Sequence, residues 1–241
     1  MLNFKKANII FIIIFLSMIL IEVYLPFSQL LYLLPLFLWF LILFFGSKNI
    51  CSQFYTKVKC SSEDKSKLHL TFDDGPHPET TPEILKILKK YNQKAVFFCI
   101  GKNIEQYPEI VKQIVNEGHA IGNHSYSHSY YFDFFATTKV IAELEKNNQL
   151  IKELTGKDCK IFRPPYGVTN PNIAKAVKNL NMQVIGWSIR SLDTVKDKKQ
   201  VLKRLQKAKA GDIILFHDIK AQTPEILDEF FRYHLKDADL H

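Results

Sequence analysis

The chain predicts an α/β fold: a parallel sheet long enough to curl into a barrel, preceded by two apolar helices. Three observations carry this. From about residue 68 onward, short apolar runs alternate with longer amphipathic ones, the pattern of strand, helix and strand in repetition. Prolines stand at or near the start of several amphipathic segments, where a missing N–H costs nothing. Ahead of this, most of the first 46 residues form two apolar blocks separated by a short turn.

The apolar blocks cover residues 9–25 and 30–45, each close to the roughly 17–25 residues that a spanning helix needs. Pro26, Ser28 and Gln29 turn the chain between them. A cleaved signal peptide would explain the first block and Lys5 and Lys6 ahead of it, but no small-residue cleavage site follows and the second block begins almost at once. The expectation is a hairpin of two transmembrane helices. Residues 1–47 form the membrane anchor, 48–66 a polar, lysine-rich linker, and 67–241 the folded domain, with the lipid bilayer as partner through 9–45. Two spans put the domain on the same side as the N-terminus. Lys5, Lys6, Lys48, Lys57 and Lys59 flank the outer ends while the turn is uncharged, which read literally places both ends in the cytoplasm. Glu22 weakens the first span.

Composition narrows the class further. With 47% hydrophobic and 23% charged residues the chain is globular, and its net charge of +8 suits a basic surface near anionic lipid. No nucleic-acid module appears. Cys51, Cys60, Cys99 and Cys159 lack zinc-knuckle spacing. Cys99 lies in an apolar run and reads as core, whereas Cys51 and Cys60 are candidates to pair in an oxidising compartment.

Strands are expected over 68–72, 95–100, 120–123, 160–163, 183–189 and 212–217, and helices over 82–91, 108–117, 137–154, 171–180, 198–208 and 224–233. Leu240 and its neighbours could add a short last strand. In parallel α/β folds, chemistry gathers at the C-terminal ends of strands. The polar clusters obey that rule: Asp73-Asp74, His124 and His128, Arg163 and Tyr166, Trp187, and His217-Asp218 each follow or end a strand.

Asp73-Asp74-Gly75-Pro76 breaks an alternating strand into a turn, and two adjacent carboxylates can divide the labour between a metal and a proton. Alone, such a tetrad is an ordinary solvated turn. His124 and His128 stand four apart, so a helical turn would aim both at one ion. With Asp74 they make a set of two nitrogens and one oxygen that suits zinc, cobalt or nickel. Arg163-Pro164-Pro165-Tyr166 is a rigid turn whose arginine can grip a carboxylate in forked geometry. His217, after a buried strand, can deliver a proton near neutral pH; a single histidine is more often held by backbone contacts alone.

In order and spacing, Thr71-Phe72-Asp73-Asp74-Gly75-Pro76, His124-Ser125-Tyr126-Ser127-His128, Arg163-Pro164-Pro165-Tyr166 and Leu215-Phe216-His217 resemble the motifs of the polysaccharide deacetylases, carbohydrate esterase family 4 with the NodB homology domain. The resemblance runs from about residue 67 to the C-terminus. It implies a distorted (β/α) barrel and a divalent metal ion, Zn2+ first with Co2+ or Ni2+ as alternatives. The implied activity removes N-acetyl groups from amino sugars of a peptidoglycan-like or lipid-linked glycan. It also implies roles: Asp74, His124 and His128 hold the metal, Asp73 is the general base, and Arg163 orients it. The Tyr166 backbone N–H, beside Pro165, stabilises the oxyanion; His217 protonates the leaving amine; Trp187 and Leu215 wall the acetyl pocket. One segment departs from the pattern. Arg190 stands where a carboxylate is usual and Thr194 where tryptophan is common, leaving Asp193 or Asp218 to orient His217. Arg190 could instead face an anionic substrate such as a lipid-linked phosphosugar. By resemblance the domain is extracytoplasmic, against the charge signal. An esterase or deformylase on another acylated sugar, and a silent glycan-binding membrane protein, are the alternatives.

Overall fold

The structure, a computed structural model, describes residues 2–238; Leu240 and the short strand expected there lie outside the described residues. Its centre is a curled, wholly parallel sheet of eight strands. In chain order these are β1 (Val58–Lys59), β2 (His69–Asp73), β3 (Ala95–Cys99), β4 (Ala120–Asn123), β5 (Ile161–Phe162), β6 (Gln183–Ile185), β7 (Ile189–Arg190) and β8 (Ile213–His217). Their order across the sheet is β1-β6-β5-β4-β3-β2-β8-β7. The fifth predicted strand is thus two, β6 and β7, lying near opposite ends of the sheet. Only Gly186, Trp187 and Ser188 separate them, so the ends lie within about 14 Å, the reach of four extended steps. That short crossing is what curls the sheet into a half-barrel. Gly186 is needed at the crossing because a Cβ there would lie 2.7 Å from Cys60 Sγ and 3.0 Å from Val58 Cγ1.

Alternation along each strand sorts side chains between two environments. On β2, Leu70 and Phe72 face the outer helices, and the Phe72 ring stacks between Phe97 at 5.0 Å and Phe216 at 5.6 Å. The other face, carrying Thr71 and Asp73, lines the barrel interior, where Phe98, Ile185 and Ile213 form a small apolar plug. Register brings Asp73 level with Phe98 on β3 and with His217 on β8. The outer layer comprises α3 (Thr80–Lys90), α4 (Gly101–Gln106), α5 (Pro108–Asn116), α6 (Thr137–Thr155), α7 (Pro171–Asn179), α8 (Lys198–Leu205) and α9 (Thr223–Ala238). Of these, α4 has no counterpart in the expected elements. The others lie within a few residues of expectation at their starts, and Gly156, at φ 70, closes α6 in the left-handed conformation that favours glycine.

Two further helices precede the barrel, αA (Phe4–Tyr24) and αB (Leu33–Lys48), the second continuous with a 3-10 turn (Gln29–Tyr32); the segments Phe4–Tyr24 and Gln29–Lys48 are long and apolar enough to cross a membrane. They pack together through the Phe11 ring stacked on Trp39 at 5.1 Å. Polar groups of the two segments are paired with each other, Trp39 Nε1 donating to Asn8 Oδ1 (2.9 Å) and Tyr32 Oη, from the 3-10 turn, to Glu22 Oε2 (2.7 Å), which is how an apolar environment tolerates such groups.

The stretch 48–66, expected as a linker, is in large part folded onto the barrel. Strand β1 pairs with β6, Ile50 and Phe54 are buried, Ser61 bridges to Asp212, and Cys51 and Cys60 form a disulfide. αB itself is tied to the barrel, since Ser47 Oγ donates to the Thr169 carbonyl (2.7 Å) and Thr169 N–H donates to the Ser47 carbonyl (3.2 Å). Exposed lysines disguise this packing in the sequence, because Lys48 and Lys57 stand near the buried Ile50 and Val58. Opening the disulfide frees a loop of about ten residues. Cys60→Ser is therefore expected to lower stability by about 2–3 kcal/mol, read as a drop in Tm that reducing agent reproduces in the wild-type chain but not in the variant.

Candidate functional site

The polar groups meet where the strands end. After β2 the chain enters Asp74 at φ 77, a left-handed turn that swings its carboxylate across the mouth of the barrel. Asn103 Nδ2, from α4, donates to the Asp74 carbonyl (2.7 Å) and fixes the turn. Gly75 follows because a Cβ there would lie 2.0 Å from Asp218 Oδ2. Thr81 Oγ1 donates to that same Oδ2 (2.7 Å), and burial pushes the Asp218 carboxyl up to about 7. Asp218 therefore supports the Asp-Asp turn from below and does not touch the His217 ring.

His124 and His128 approach Asp74 from the loop after β4. Their Nε2 atoms lie 3.4 and 3.3 Å from Asp74 Oδ1. The turn joining them is not the helical one that their spacing suggests; Ser125 and His128 both have positive φ, 62 and 46. Side chains hold that shape. Ser125 Oγ accepts from the His128 N–H (3.0 Å), and Glu143 Oε2 accepts from both N–H (2.7 Å) and Oγ (2.8 Å) of Ser127. Buried Asn147 donates to the carbonyls of Cys99 (2.9 Å) and Ser125 (2.8 Å). Glu143 and Asn147 escaped the sequence reading, although a polar residue at a core position of an amphipathic helix was the available signal.

The three groups fit a divalent cation. One ligand atom from each of Asp74, His124 and His128 lies within 4.8 Å of the others, and the His124 Nδ1–H donates to the Arg163 carbonyl (2.7 Å), which turns Nε2 towards the shared space. Without an ion, burial alone would raise the Asp74 pKa, but the hydrogen bond and charge of His124 outweigh it and hold the carboxyl at about 2. Burial likewise opposes charge on His124, yet Asp73 and Asp74 raise its pKa. His128, desolvated and next to a charged His124, falls to about 4.

Asp73 points the other way, into the barrel. Arg163, fully buried, donates through Nη1 to Asp73 Oδ1 (2.7 Å) and Thr71 Oγ1 (2.8 Å), through Nε to the Ile185 carbonyl (3.1 Å) and through Nη2 to the Gly186 carbonyl (2.7 Å). Its guanidinium also lies 4.2 Å from the centre of the Phe98 ring. Asp73 is thereby kept beside the candidate metal set, its Oδ2 3.9 Å from His124 Nε2.

His217 closes the opposite side, and Asp193 orients it. The His217 Nδ1–H donates to Asp193 Oδ1 (2.8 Å), and the His217 backbone N–H donates to Oδ2 (2.8 Å). Ser191 Oγ (2.8 Å) and Thr223 Oγ1 (2.9 Å) complete the set of donors to a carboxylate with no exposed surface. Arg190 does not displace this carboxylate; it lies three residues earlier on β7, with its side chain exposed. Burial disfavours the ions on both partners, but their mutual hydrogen bond prevails, raising the His217 pKa and lowering that of Asp193. The His217 contribution to stability is full below the ordinary imidazole pKa and lost as pH rises through its raised value. The Asp193 contribution is full above the ordinary carboxyl pKa and lost as pH falls through its lowered value.

The remaining expected residues gather at the same rim. Tyr166 sits at φ 59 with its ring 5.0 Å from that of His128, on a turn that begins at the buried Pro165. Trp187 packs on Gly167, where a Cβ would meet its ring at 2.3 Å, and Leu215 lies two residues before His217 on the same face of β8. Tyr130 is 77% exposed beside Tyr166 and leaves an aromatic surface open at the mouth.

A curled parallel barrel with a candidate cation site, a buried arginine-held carboxylate and a carboxylate-held histidine at its mouth defines a class of hydrolase-like α/β folds. The polysaccharide deacetylase family model matches residues 61–185. The chain belongs to that family. It is 43% identical over 136 residues to a peptidoglycan-N-acetylglucosamine deacetylase of Bacillus cereus, an alignment spanning 54% of this chain and 47% of that protein. The match thus covers about half the length of that relative. Among solved structures, the Bc1960 peptidoglycan N-acetylglucosamine deacetylase superposes with a TM-score of 0.70 at 32% identity, over 75% of this chain and 87% of that one. A pseudoenzyme of carbohydrate esterase family 4 from Bacillus anthracis superposes with a TM-score of 0.67 at 28% identity, over 74% and 64% of the two chains.

If His217 acts as a proton donor, the Asp193 carboxylate sets the upper pH limit of activity. Removing it lowers the imidazole pKa, so Asp193→Asn is expected to move the alkaline limb of a pH profile of kcat/KM to lower pH, with the acid limb changed less.

Proposed function

We propose that the chain is a membrane-anchored, metal-dependent N-deacetylase acting on the N-acetylhexosamine units of a peptidoglycan-like glycan and releasing acetate. The observation that carries this reading is the convergence of Asp74, His124 and His128 beside Asp73 and Arg163, with His217 facing them, in a chain of this family.

Asp74, His124 and His128 hold a divalent ion, zinc by preference and cobalt or nickel as substitutes for the same donor set. Such an ion supplies Lewis acidity to the acetamide carbonyl and makes water more acidic. Asp73 accepts the proton of the attacking water, and the buried Arg163 keeps that carboxylate ionised and aimed. The Tyr166 backbone N–H donates to the oxygen on which negative charge develops. As the C–N bond breaks, His217 passes a proton to the amine nitrogen, and Asp193 stabilises the charged imidazole beforehand. Trp187 and Leu215 bound the space for the acetyl methyl group, and Tyr130 and Tyr166 offer apolar faces to a sugar ring. The products are acetate and a free amino sugar.

Residues 1–47 serve as the anchor in the cytoplasmic membrane, with the catalytic domain 67–241 outside. The Cys51–Cys60 disulfide supports that face, because such bonds persist in oxidising compartments. The likeness to a pseudoenzyme favours a second reading, a silent glycan-binding protein; the full set of acid, base and donor residues opposes it.

Acetate release from N-acetylglucosamine oligomers and peptidoglycan fragments decides between them. Activity is expected to vanish with chelator and return with zinc. Asp73→Asn should keep its zinc by elemental analysis while kcat falls by about 10²–10⁴-fold; turnover at the wild-type rate would remove Asp73 from the role of base. A phosphatase reporter fused after residue 59 should be active if that point lies outside the membrane, and inactive if it lies in the cytoplasm.

A further inference from the structure

A second polar recess lies beside the site described above and is separated from it by one side chain. It is a groove of about 850 Å³ between the end of αB and the barrel, bounded by Phe45, Lys48, Ile50, Trp187, Arg190 and Arg204. Three cations line it and no carboxylate does. Among the described residues, none of the three forms an ion pair. The Arg204 Nε donates only to the Arg190 carbonyl (3.2 Å), the Arg190 guanidinium lies 5.9 Å from the centre of the Trp187 ring, and Lys48 Nζ lies 5.9 Å from that of Phe44. Asp212, which approaches through Ser188, is already engaged by Ser188 Oγ (2.8 Å) and the Lys209 N–H (2.9 Å). Three cations on one lining with no carboxylate among its residues give the groove a positive potential suited to an anion.

Its position narrows the anion. Lys48 is the last residue of αB and Phe45, one turn earlier, is 61% exposed, so one wall of the groove continues directly into the apolar surface of the helix. In a bilayer the end of a spanning helix sits at headgroup depth, where lipid phosphates are concentrated and where clustered lysine and arginine recognise them. An arginine's planar fork matches two phosphate oxygens at once. The hydrogen bonds between Ser47 and Thr169, together with strand β1 and the disulfide, hold the helix end and the barrel in one arrangement, so the groove is not a chance approach of two mobile parts.

We propose that Lys48, Arg190 and Arg204 bind the phosphate of a membrane lipid at the bilayer surface, an inference that rests on residues 1–47 being a membrane anchor. Trp187 links the groove to the catalytic mouth. Its ring faces Arg190 on one side, lies 5.6 Å from the Arg163 guanidinium, and packs on Gly167 of the Tyr166 turn. A lipid phosphate held here would stand next to the acetyl pocket, so a glycan carried on that lipid, or lying against the membrane, would be presented to the site.

The test uses the full chain in non-ionic detergent, with Trp39→Phe leaving Trp187 as the one tryptophan, excited selectively over the tyrosines, since the sequence has two tryptophans. Titration with phosphatidylglycerol should change Trp187 fluorescence saturably, and diacylglycerol, which lacks phosphate, should not. Arg190→Ala, Arg204→Ala and Lys48→Ala should each weaken binding by about fivefold, with Arg190→Lys between wild type and alanine. Each variant should keep the wild-type Tm and zinc content. Equal affinity for phosphatidylglycerol in wild type and all three alanine variants would overturn the proposal, as would inorganic phosphate binding as tightly as the lipid. Flotation of the chain with phosphatidylcholine vesicles separates the two readings. A chain that floats but shows no groove-dependent lipid binding loses the groove alone, whereas a chain that does not float loses the anchor and the groove together.

Discussion

The buried pair of Arg163 and Asp73 is the constraint on which the rest of the site depends. A guanidinium with no exposed surface is costly to desolvate, and burial alone pulls its pKa down. It is accommodated because four acceptors surround it: a carboxylate, a threonine hydroxyl and two carbonyls at the end of β6. Those carbonyls are free to accept because the sheet breaks at Gly186, and the sheet breaks there because its ends must be joined by a short crossing. The curl of the barrel, the seat of the arginine and the aim of Asp73 are therefore one geometric arrangement.

Around that pair, each reactive group is held by a partner of opposite or complementary character. His124 is fixed by the Arg163 carbonyl, His217 by Asp193, and the turn carrying Asp74 by Asn103 and Asp218. Two imidazoles at the same rim are driven to different ends. His128 is desolvated next to another imidazole and tends to neutrality, while His217 lies against a buried carboxylate and tends to remain charged. The backbone contributes as well. Asp74, Ser125, His128 and Tyr166 all have positive φ, a concentration of left-handed non-glycine residues at one rim that surrounding hydrogen bonds must sustain.

Much of this is legible in the amino-acid sequence. Short apolar runs announced the strands because each has one face against helices and the other in a packed interior, and the reactive residues declared themselves by falling after those runs. Other features left no trace in local pattern. Strand β1 has only two residues, too few for any alternation to register. The six-residue α4 begins directly after β3 without a capping side chain. The break at Gly186 is imposed by Cys60 and Val58, which are distant in sequence, so the run from Gln183 to Ile189 reads as a single strand. Asp193 and Asp218 are equal candidates to orient His217 in the sequence, and the turn around Leu192, at φ 66, decides for Asp193, three residues beyond Arg190.

Strand β1 forms one margin of the sheet, and it belongs to the stretch that joins the helices to the barrel. A protein excised at residue 67 to obtain a soluble sample would lose that strand and with it the whole Cys51–Cys60 disulfide, the cover over Gly186 and the hydrogen bonds along β6. It would expose an unpaired row of backbone groups, an invitation to intermolecular pairing. Fragments intended for crystallisation or assay should therefore begin before Asn49, keeping the disulfide and the outermost strand while dispensing with the greasy helices.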